Sequence, residues 1–581
     1  MTLFFQYAMT IARYGVVLLS AAIIIRSIRS MLSERYEPET WAYIKRGGTL
    51  IPVTHWENII GRSPFSDIRI DHRSMSRVHA VLTRSDNGVW RIYDIFSRGG
   101  VWVNDSKVGI NGTSLRSRDV LSFGGSTVLF YDISTEQKKE LEERRTKVGA
   151  RVSPAVTLLE LTLFEICLLI EQIIYADDEY TALIAVAFAG LIALQWMCYY
   201  LMCFMGRSGF EVETLAFYLS SLGLSVAASS VPEDMLQQLI FTIVGVAMFL
   251  FGGLWLRKLK RTYAMRIPVG ILALLLLAVN VIFSDAVLGA KNWLSIGGFS
   301  FQPSEFVKVL YVYVGASTLD RLYRRQNLYS FIFFSACCVV ALALIGDFGT
   351  ALIFFASFLV ISFMRSGSIA TVMLAVTGAG LAGVLAISVK PHIASRFAIW
   401  GHVWEDIYDK GYQQTRAMSA AASGGLFGKG AGNGWLHTIF AANTDMVFAE
   451  VCEELGLMIG LCMVLAVLTL AFFAVRSARS GRSAFYSIAA CAAMSMMLVQ
   501  MGLNVFGSLD ILPFTGVTFP FVSRGGSSLL SCWMMMGYIK AADTRRGSSF
   551  AVRDIRRIDD LYGDDDDDYY DDDEDNGEEK H

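Results

Sequence analysis

Between residues 213 and 539 the chain is a succession of apolar runs, each about 17 to 25 residues long, the length a helix needs to cross the hydrocarbon core of a bilayer. So much uninterrupted apolar sequence exceeds what a soluble core can bury, and the pattern points to membrane helices. About ten spans fit this stretch, and three upstream bring the total to about thirteen. The loops test the reading, because short cytoplasmic loops are enriched in Lys and Arg. Every second loop is basic: RKLKR (257–261), DRLYRRQ (320–326), the segment at Arg365, VRSARSGRS (475–483) and KAADTRR (540–546). These are expected inside, and segments 291–304, 346–349, 390–445 and 510–518 outside.

Composition agrees, with 54% hydrophobic and 18% charged residues among 581 and a mean hydropathy of +0.45. The net charge of −3 conceals segregation, since basic clusters sit between spans and acids crowd the C-terminus. The nine Cys lie in apolar segments with no CxxC pair, so they read as small core or lipid-facing side chains.

An apolar stretch over residues 5–25 is followed by Arg26, Arg29 and Arg35, which predicts an uncleaved anchor within residues 1–35. Residues 41–132 change to short β-patterned segments such as VHAVL, VWRIYDI and TVLFYDI, separated by Gly, Asn and Asp turns. The expected fold is thus a polytopic α-helical membrane protein with an inserted cytoplasmic all-β sandwich. A charged linker (133–153), two additional spans (154–206), a ten-span core (213–546) and a tail (547–581) complete the chain. The tail's acidic run at 564–579 is expected to be disordered.

Within the β region, Gly61-Arg62, Ser76-x-x-His79 and DIFSRGGVWVN fall where turns are expected. A phosphate dianion needs a guanidinium together with hydroxyl or amide donors held on rigid loops. The set resembles the forkhead-associated (FHA) family, which binds phosphothreonine peptides. The resemblance implies that Arg62 and Ser76 contact phosphate while His79 braces the loops. Gly99 stands where that family usually has an Asn that holds the peptide backbone, and an FHA-like module without phosphate dependence is the other reading.

Charged and amide side chains in or beside spans are costly, which makes them markers of function. Four groups qualify. Gln302-Pro303-Ser304-Glu305 leads to Lys308, and Glu305 and Lys308, three apart, share a helix face. Asp347-Phe348-Gly349-Thr350 ends a span. The long outer segment carries GYQQTRAMSAAASGGLFGKGAGNG and then NTDMVFAEVCEELG, and LPFTGVTFPFVSRGGSSLL enters the last span. In this order the four resemble the SEDS family of peptidoglycan glycosyltransferases of shape, elongation, division and sporulation.

That resemblance implies polymerisation of lipid II into glycan strands on the outer face of the bacterial cytoplasmic membrane, by an inverting displacement, alongside a class B penicillin-binding transpeptidase. It assigns the catalytic base to Asp445, for which a helix N-cap is the competing role. Glu305 and Lys308, with Gln302 and Ser304, are either substrate contacts or structural support of the core. Arg416, Lys429, Arg396, Arg524 and Ser527 are expected to hold the pyrophosphate. A divalent cation such as magnesium could screen that leaving group, though no metal-ligand spacing requires one. A phosphothreonine protein from a Ser/Thr kinase pathway is the expected regulatory partner, and no nucleic acid is expected. A lipid-linked sugar flippase and a non-catalytic division scaffold are the alternative functions.

Overall fold

The computed structural model describes residues 2–33, 39–64, 66–85, 87–134, 136–138, 140–141, 152–287, 290–296, 299–319, 325–366, 369–389, 391–545 and 548–550. The acidic run and most of the charged linker lie outside the described residues.

Thirteen helices of 16 residues or more are present among the described residues. Three precede the core: α1 (Thr2–Ser33), α2 (Pro154–Tyr175) and α3 (Asp178–Phe204). Five follow: α4 (Glu211–Ser230), α5 (Met235–Trp255), α6 (Arg266–Phe283), α7 (Pro303–Leu319) and α8 (Arg325–Ile345). The remainder are α9 (Phe348–Ser366), α10 (Ile369–Val389), α11 (Leu457–Arg479), α12 (Ala484–Ser508) and α13 (Gly526–Ala541). Eight of them are long and apolar enough to span a membrane on length and composition alone. Among the others, α2 carries Glu160, Glu165 and Glu171, and α7 carries Glu305 and Lys308. Their polar groups are turned into the bundle: Glu165, Glu171, Glu305 and Lys308 are all buried. The bundle packs small and aromatic side chains closely, as where Trp533 of α13 fills the space beside Gly245 of α5.

The β region is a sandwich. One sheet runs β2 (Thr49–Val53), β1 (Ala42–Arg46), β11 (Ser126–Asp132), β10 (Val120–Phe123), β7 (Val101–Val103) and β8 (Ser106–Lys107). The other runs β4 (Ile68–Arg69), β3 (Glu57–Gly61), β5 (Ala80–Arg84), β6 (Trp90–Asp94) and β9 (Thr113–Leu115). Alternate residues of each strand face inward, so Ile44, Ile60, Leu82, Ile92, Phe123 and Phe130 build the core between the sheets. Trp90 packs edge-on to Phe130 at 5.7 Å.

The sandwich is seated on the helical bundle. His55 Nδ1 lies 2.7 Å from Gly481 O, and Trp56 N donates to Arg482 O at 2.6 Å. Arg482 forks onto Glu39 with both contacts at 2.7 Å or less, the Arg buried and the Glu nearly so. The seat is the basic segment between α11 and α12.

Two stretches differ from the sequence expectation. The segment before α7 forms a three-stranded antiparallel sheet, β12 (Asp285–Val287), β13 (Ala290–Ile296) and β14 (Phe299–Phe301), where only a loop was anticipated. The tail expected from residue 547 begins inside the packed structure. Phe550 is buried against Phe249 and fills the notch left by Gly253, while Arg257 Nε donates to Phe550 O and Arg207 Nη1 to Ser549 O. An aromatic ring three residues past a charged turn is enough to hold the chain down.

Candidate active site and phosphopeptide-binding loops

The segment between α10 and α11 folds into short helices rather than open coil: Pro391–Ile399, Tyr412–Gly424, Ala442–Asp445 and Val447–Glu454. Asp445 ends the third of these. Ala441 takes a left-handed φ of 59°, which turns the chain into it. The N-terminal boundary of the next helix is Met446, so the N-cap role considered for Asp445 does not describe it.

The turn is held from three sides. Asn504 of α12 donates Nδ2 to Asp445 O at 3.0 Å and to Val517 O at 2.8 Å. Ser523 Oγ donates to Thr444 O at 2.6 Å, and Arg524 N to Asn443 O at 2.8 Å. Asn443 Nδ2 reaches Ser230 Oγ of α4 at 3.0 Å. Gly516 has a φ of 68°, and a Cβ there would approach Asp445 Oδ2 to 3.0 Å, so glycine both permits the turn and clears the carboxylate.

Asp445 faces a cavity of about 620 Å³ that is also lined by Asp347, Glu305, Gln302, Arg396, Arg524, Ser527 and Ser528. Burial raises the Asp445 carboxyl to about 6, opposed by the Thr444 hydrogen bond and the charge of Arg396 and assisted by the negative charge of Asp347. Asp347 is buried at the mouth of α9. It accepts from Thr350 N at 2.9 Å, Thr350 Oγ1 at 2.8 Å and Gln302 Nε2 at 3.3 Å. Arg524 pairs with Asp234 from the turn before α5. The cavity therefore combines a carboxylate raised to about 6 with two guanidinium groups, suited to accepting a proton beside an anionic leaving group.

Beneath it, Lys308 Nζ contacts Glu305 Oε2 at 2.7 Å and donates to Gln500 Oε1 at 3.0 Å, while Ser531 Oγ donates to Glu305 Oε2 at 2.8 Å. Of this group, only Glu305 reaches the cavity wall. Ser304 is buried and does not line the cavity. Arg416 and Lys429 stand apart from the cavity: Arg416 lies over the Tyr412 ring, and Lys429 Nζ pairs with Glu453 at 2.7 Å. Sequence reasoning singled out Asp347 without giving it a role, and passed over Asn504 and Gln500. The signal existed, because two amides four apart within an apolar run lie on one helix face. Among the described residues, no group of three or more His, Cys, Asp or Glu is close enough to hold a metal ion.

In the β domain, Arg62 N donates to Ser76 O at 3.0 Å and leaves its guanidinium exposed. Ser76 Oγ accepts from Arg98 N at 3.2 Å. Buried His79 accepts from Ser76 N at 3.1 Å through Nδ1, and its Nε2 lies 3.0 Å from Gly100 O, tying two loops together. A Cβ at Gly99 would come within 2.6 Å of Gly124 Cα, so this loop has no room for a side chain at that position.

The sequence matches the FtsW/RodA/SpoVE model, described as a cell cycle protein family, over residues 211–547, and the FHA domain model over residues 58–124. The peptidoglycan glycosyltransferase RodA of Mycobacterium tuberculosis is 29% identical over 323 residues, covering 52% of this chain and 69% of that protein. Stage V sporulation protein E of Bacillus subtilis is 30% identical over 264 residues, covering 43% of this chain and 70% of its own. The crystal structure of RodA from Thermus thermophilus aligns with a TM-score of 0.42 at 23% identity, over 57% of this chain and 95% of that one. The family-model match over residues 211–547 spans all ten helices from α4 to α13, so the chain belongs to the FtsW/RodA/SpoVE family and carries an FHA domain between its first helix and that core.

Proposed function

We propose that this protein is a peptidoglycan glycosyltransferase that polymerises lipid II into glycan strands, serving cell elongation, division or sporulation. The observation that carries the reading is the Asp445 carboxylate, held at a fixed turn on a cavity that also presents Arg396 and Arg524. In the reaction, the acceptor sugar hydroxyl attacks the anomeric carbon of the donor as the lipid pyrophosphate departs, inverting that carbon. Asp445 takes the hydroxyl proton, and Arg396 and Arg524 offset the charge gathering on the pyrophosphate. Glu305, Gln302 and Ser527 supply hydrogen-bonding groups to the bound sugar from the α7 and α13 sides.

The reading puts the β domain and C-terminal tail in the cytoplasm and Asp445 outside, in keeping with the basic loops at every second turn. On this reading the FHA domain receives a phosphothreonine protein through Arg62 and Ser76, and a class B penicillin-binding transpeptidase crosslinks the strands produced. The test supplies labelled lipid II to the purified full-length protein and its transpeptidase. Strands from the wild type that vanish with Asp445→Asn support the assignment. Normal polymer from the variant would overturn Asp445 as the base, and lipid flipping without polymer from either protein would favour a transporter.

A further inference from the structure

The helices α1 and α2 precede the region matched to the family, yet they meet its outer loop at four places. Arg13 of α1 donates Nη2 to Lys429 O at 2.7 Å, and Tyr14 packs edge-on to Phe427 at 5.1 Å. Glu171 of α2 accepts from Ala431 N at 3.1 Å. Tyr175 of α2 and Arg13 together fill the space a side chain at Gly430 would need, at 2.8 and 3.0 Å from its Cβ position.

Within itself this loop makes few bonds, Asn433 reaching Gly430 O at 3.0 Å and Lys429 O at 3.2 Å. Gly428, Gly430 and Gly432 have φ values of 77°, 114° and 81°, and glycines in such states carry more conformational freedom than any other residue. Its inner edge is bonded to the helix Val447–Glu454: Lys429 N donates to Glu453 O at 3.0 Å, Gly430 N to Glu454 O at 2.9 Å and Gly432 N to Glu454 Oε2 at 3.0 Å. That helix begins two residues after Asp445. The glycine segment is thus a wedge, with helices outside the family core on one side and the helix that leaves the candidate base on the other. Charged side chains within apolar helices are retained where they do something particular, and here both are aimed at backbone groups of the wedge.

We propose that Arg13 and Glu171 are positioning residues for the polymerisation reaction, fixing the segment from Lys429 to Gly432 and, through Glu453 and Glu454, the turn that presents Asp445. Neither lines the cavity, so they act through the loop and not on the substrate. The proposal rests on Asp445 as the base.

The experiment uses the full-length protein in lipid nanodiscs and the variants Arg13→Ala, Arg13→Lys, Glu171→Leu and Glu171→Gln. Amide hydrogen exchange over residues 427–436 and 447–454 is followed beside the initial rate as a function of lipid II concentration. Arg13→Ala and Glu171→Leu are expected to speed exchange in both segments about tenfold and to lower kcat about tenfold, with KM changed less than about twofold. Arg13→Lys can still donate to a carbonyl and Glu171→Gln can still accept from an amide, so both are expected to restore most of the wild-type rate. Unchanged exchange in the Ala and Leu variants would overturn the clamp, and faster exchange with wild-type kcat would overturn its role in the reaction. Asp445→Asn is assayed in parallel. Normal polymerisation by that variant would remove the base assignment, while the exchange result would still decide whether Arg13 and Glu171 hold the loop.

Discussion

Glu57 of the β domain accepts a hydrogen bond from the backbone N–H of Ala484, the first residue of α12, at 3.0 Å, and another from Ser483 Oγ at 3.0 Å. A carboxylate from one domain thereby caps a membrane helix of the other, where the free N–H groups and the positive end of the helix dipole favour an anion. Asn504, which holds Asp445, lies about 20 residues further along the same helix, roughly 30 Å at 1.5 Å per residue. At the other end of its five-residue strand, Glu57 is followed by Arg62. One strand and one helix therefore join the loop of Arg62 to the turn of the candidate base.

Replacing that cap should loosen the seat between the domains. Glu57→Ala is expected to cost about 1 kcal/mol and to speed amide exchange at residues 481–486, and Glu57→Gln, which keeps an acceptor without the charge, to cost less. Thermal unfolding and exchange mass spectrometry read both. Equal protection in wild type and Glu57→Ala would show that Trp56 and Arg482 hold the seat without Glu57.

With Asp445 as the proposed base, its carboxyl, raised to about 6 by burial, is expected to set the acid limb of activity. Only the ionised form accepts a proton, so the rate should fall about tenfold per pH unit below 6, where an ordinary Asp would still be active. The stability sign runs the other way. A raised folded pKa favours the protonated group in the folded state, so its contribution is present below the unfolded value of about 3.9 and lost as pH rises through 6. Asp445→Asn is accordingly expected to unfold at or above the wild-type temperature at pH 7.5 while losing about 10²-fold or more of its rate. An acid limb near pH 4 in a pH–rate profile would contradict the assignment.

Glu305 and Lys308 form an ion pair with side chains 5% and 1% exposed, so removing one partner strands the other. Lys308→Met is expected to cost about 3–5 kcal/mol, and Lys308→Met combined with Glu305→Gln clearly less. Unfolding of the single and double variants in detergent measures the difference. A double variant as unstable as the sum of its singles would show that the two residues act independently.

Arg62→Ala should abolish the phosphate dependence of peptide binding while leaving the sandwich folded, because the Arg62 side chain is exposed and its structural contact is the backbone bond to Ser76. Gly99→Asn, by contrast, should destabilise the domain without gaining affinity, since its Cβ would overlap Gly124. Titration with phosphorylated and unphosphorylated peptides, beside a melting curve, distinguishes the two. Tighter phosphopeptide binding by Gly99→Asn would show that the loop can open to accept a side chain.

Much of the architecture was legible because bilayer thickness and the exclusion of unpaired backbone from lipid leave few options. A 17-residue apolar run such as α7 has one available structure even with Glu305 and Lys308 in it, and the period-two pattern around Trp90 and Ile92 marks a strand wherever it occurs. Asp445 was legible as a candidate only through the resemblance to the SEDS family, because desolvation cost alone marks Asp347, Glu450, Glu453 and Glu454 equally. Its partners were not. Asn504, Ser523 and Arg524 reach the turn from sequence positions about 60 to 80 residues away, and nothing in local pattern encodes that meeting.

The sequence by itself determined the elements: the membrane helices, the sandwich, and the charged and amide residues that lipid makes costly. Only the tertiary structure decided which of these residues share a cavity, withdrawing Lys429 into a pair with Glu453 and bringing in Asp347. It alone set Glu57 on α12 and Arg13 on the glycine loop. The reason is physical. Periodicity and desolvation act along the chain and leave a local imprint, whereas the packing of one helix against another depends on the shapes of surfaces drawn from distant segments.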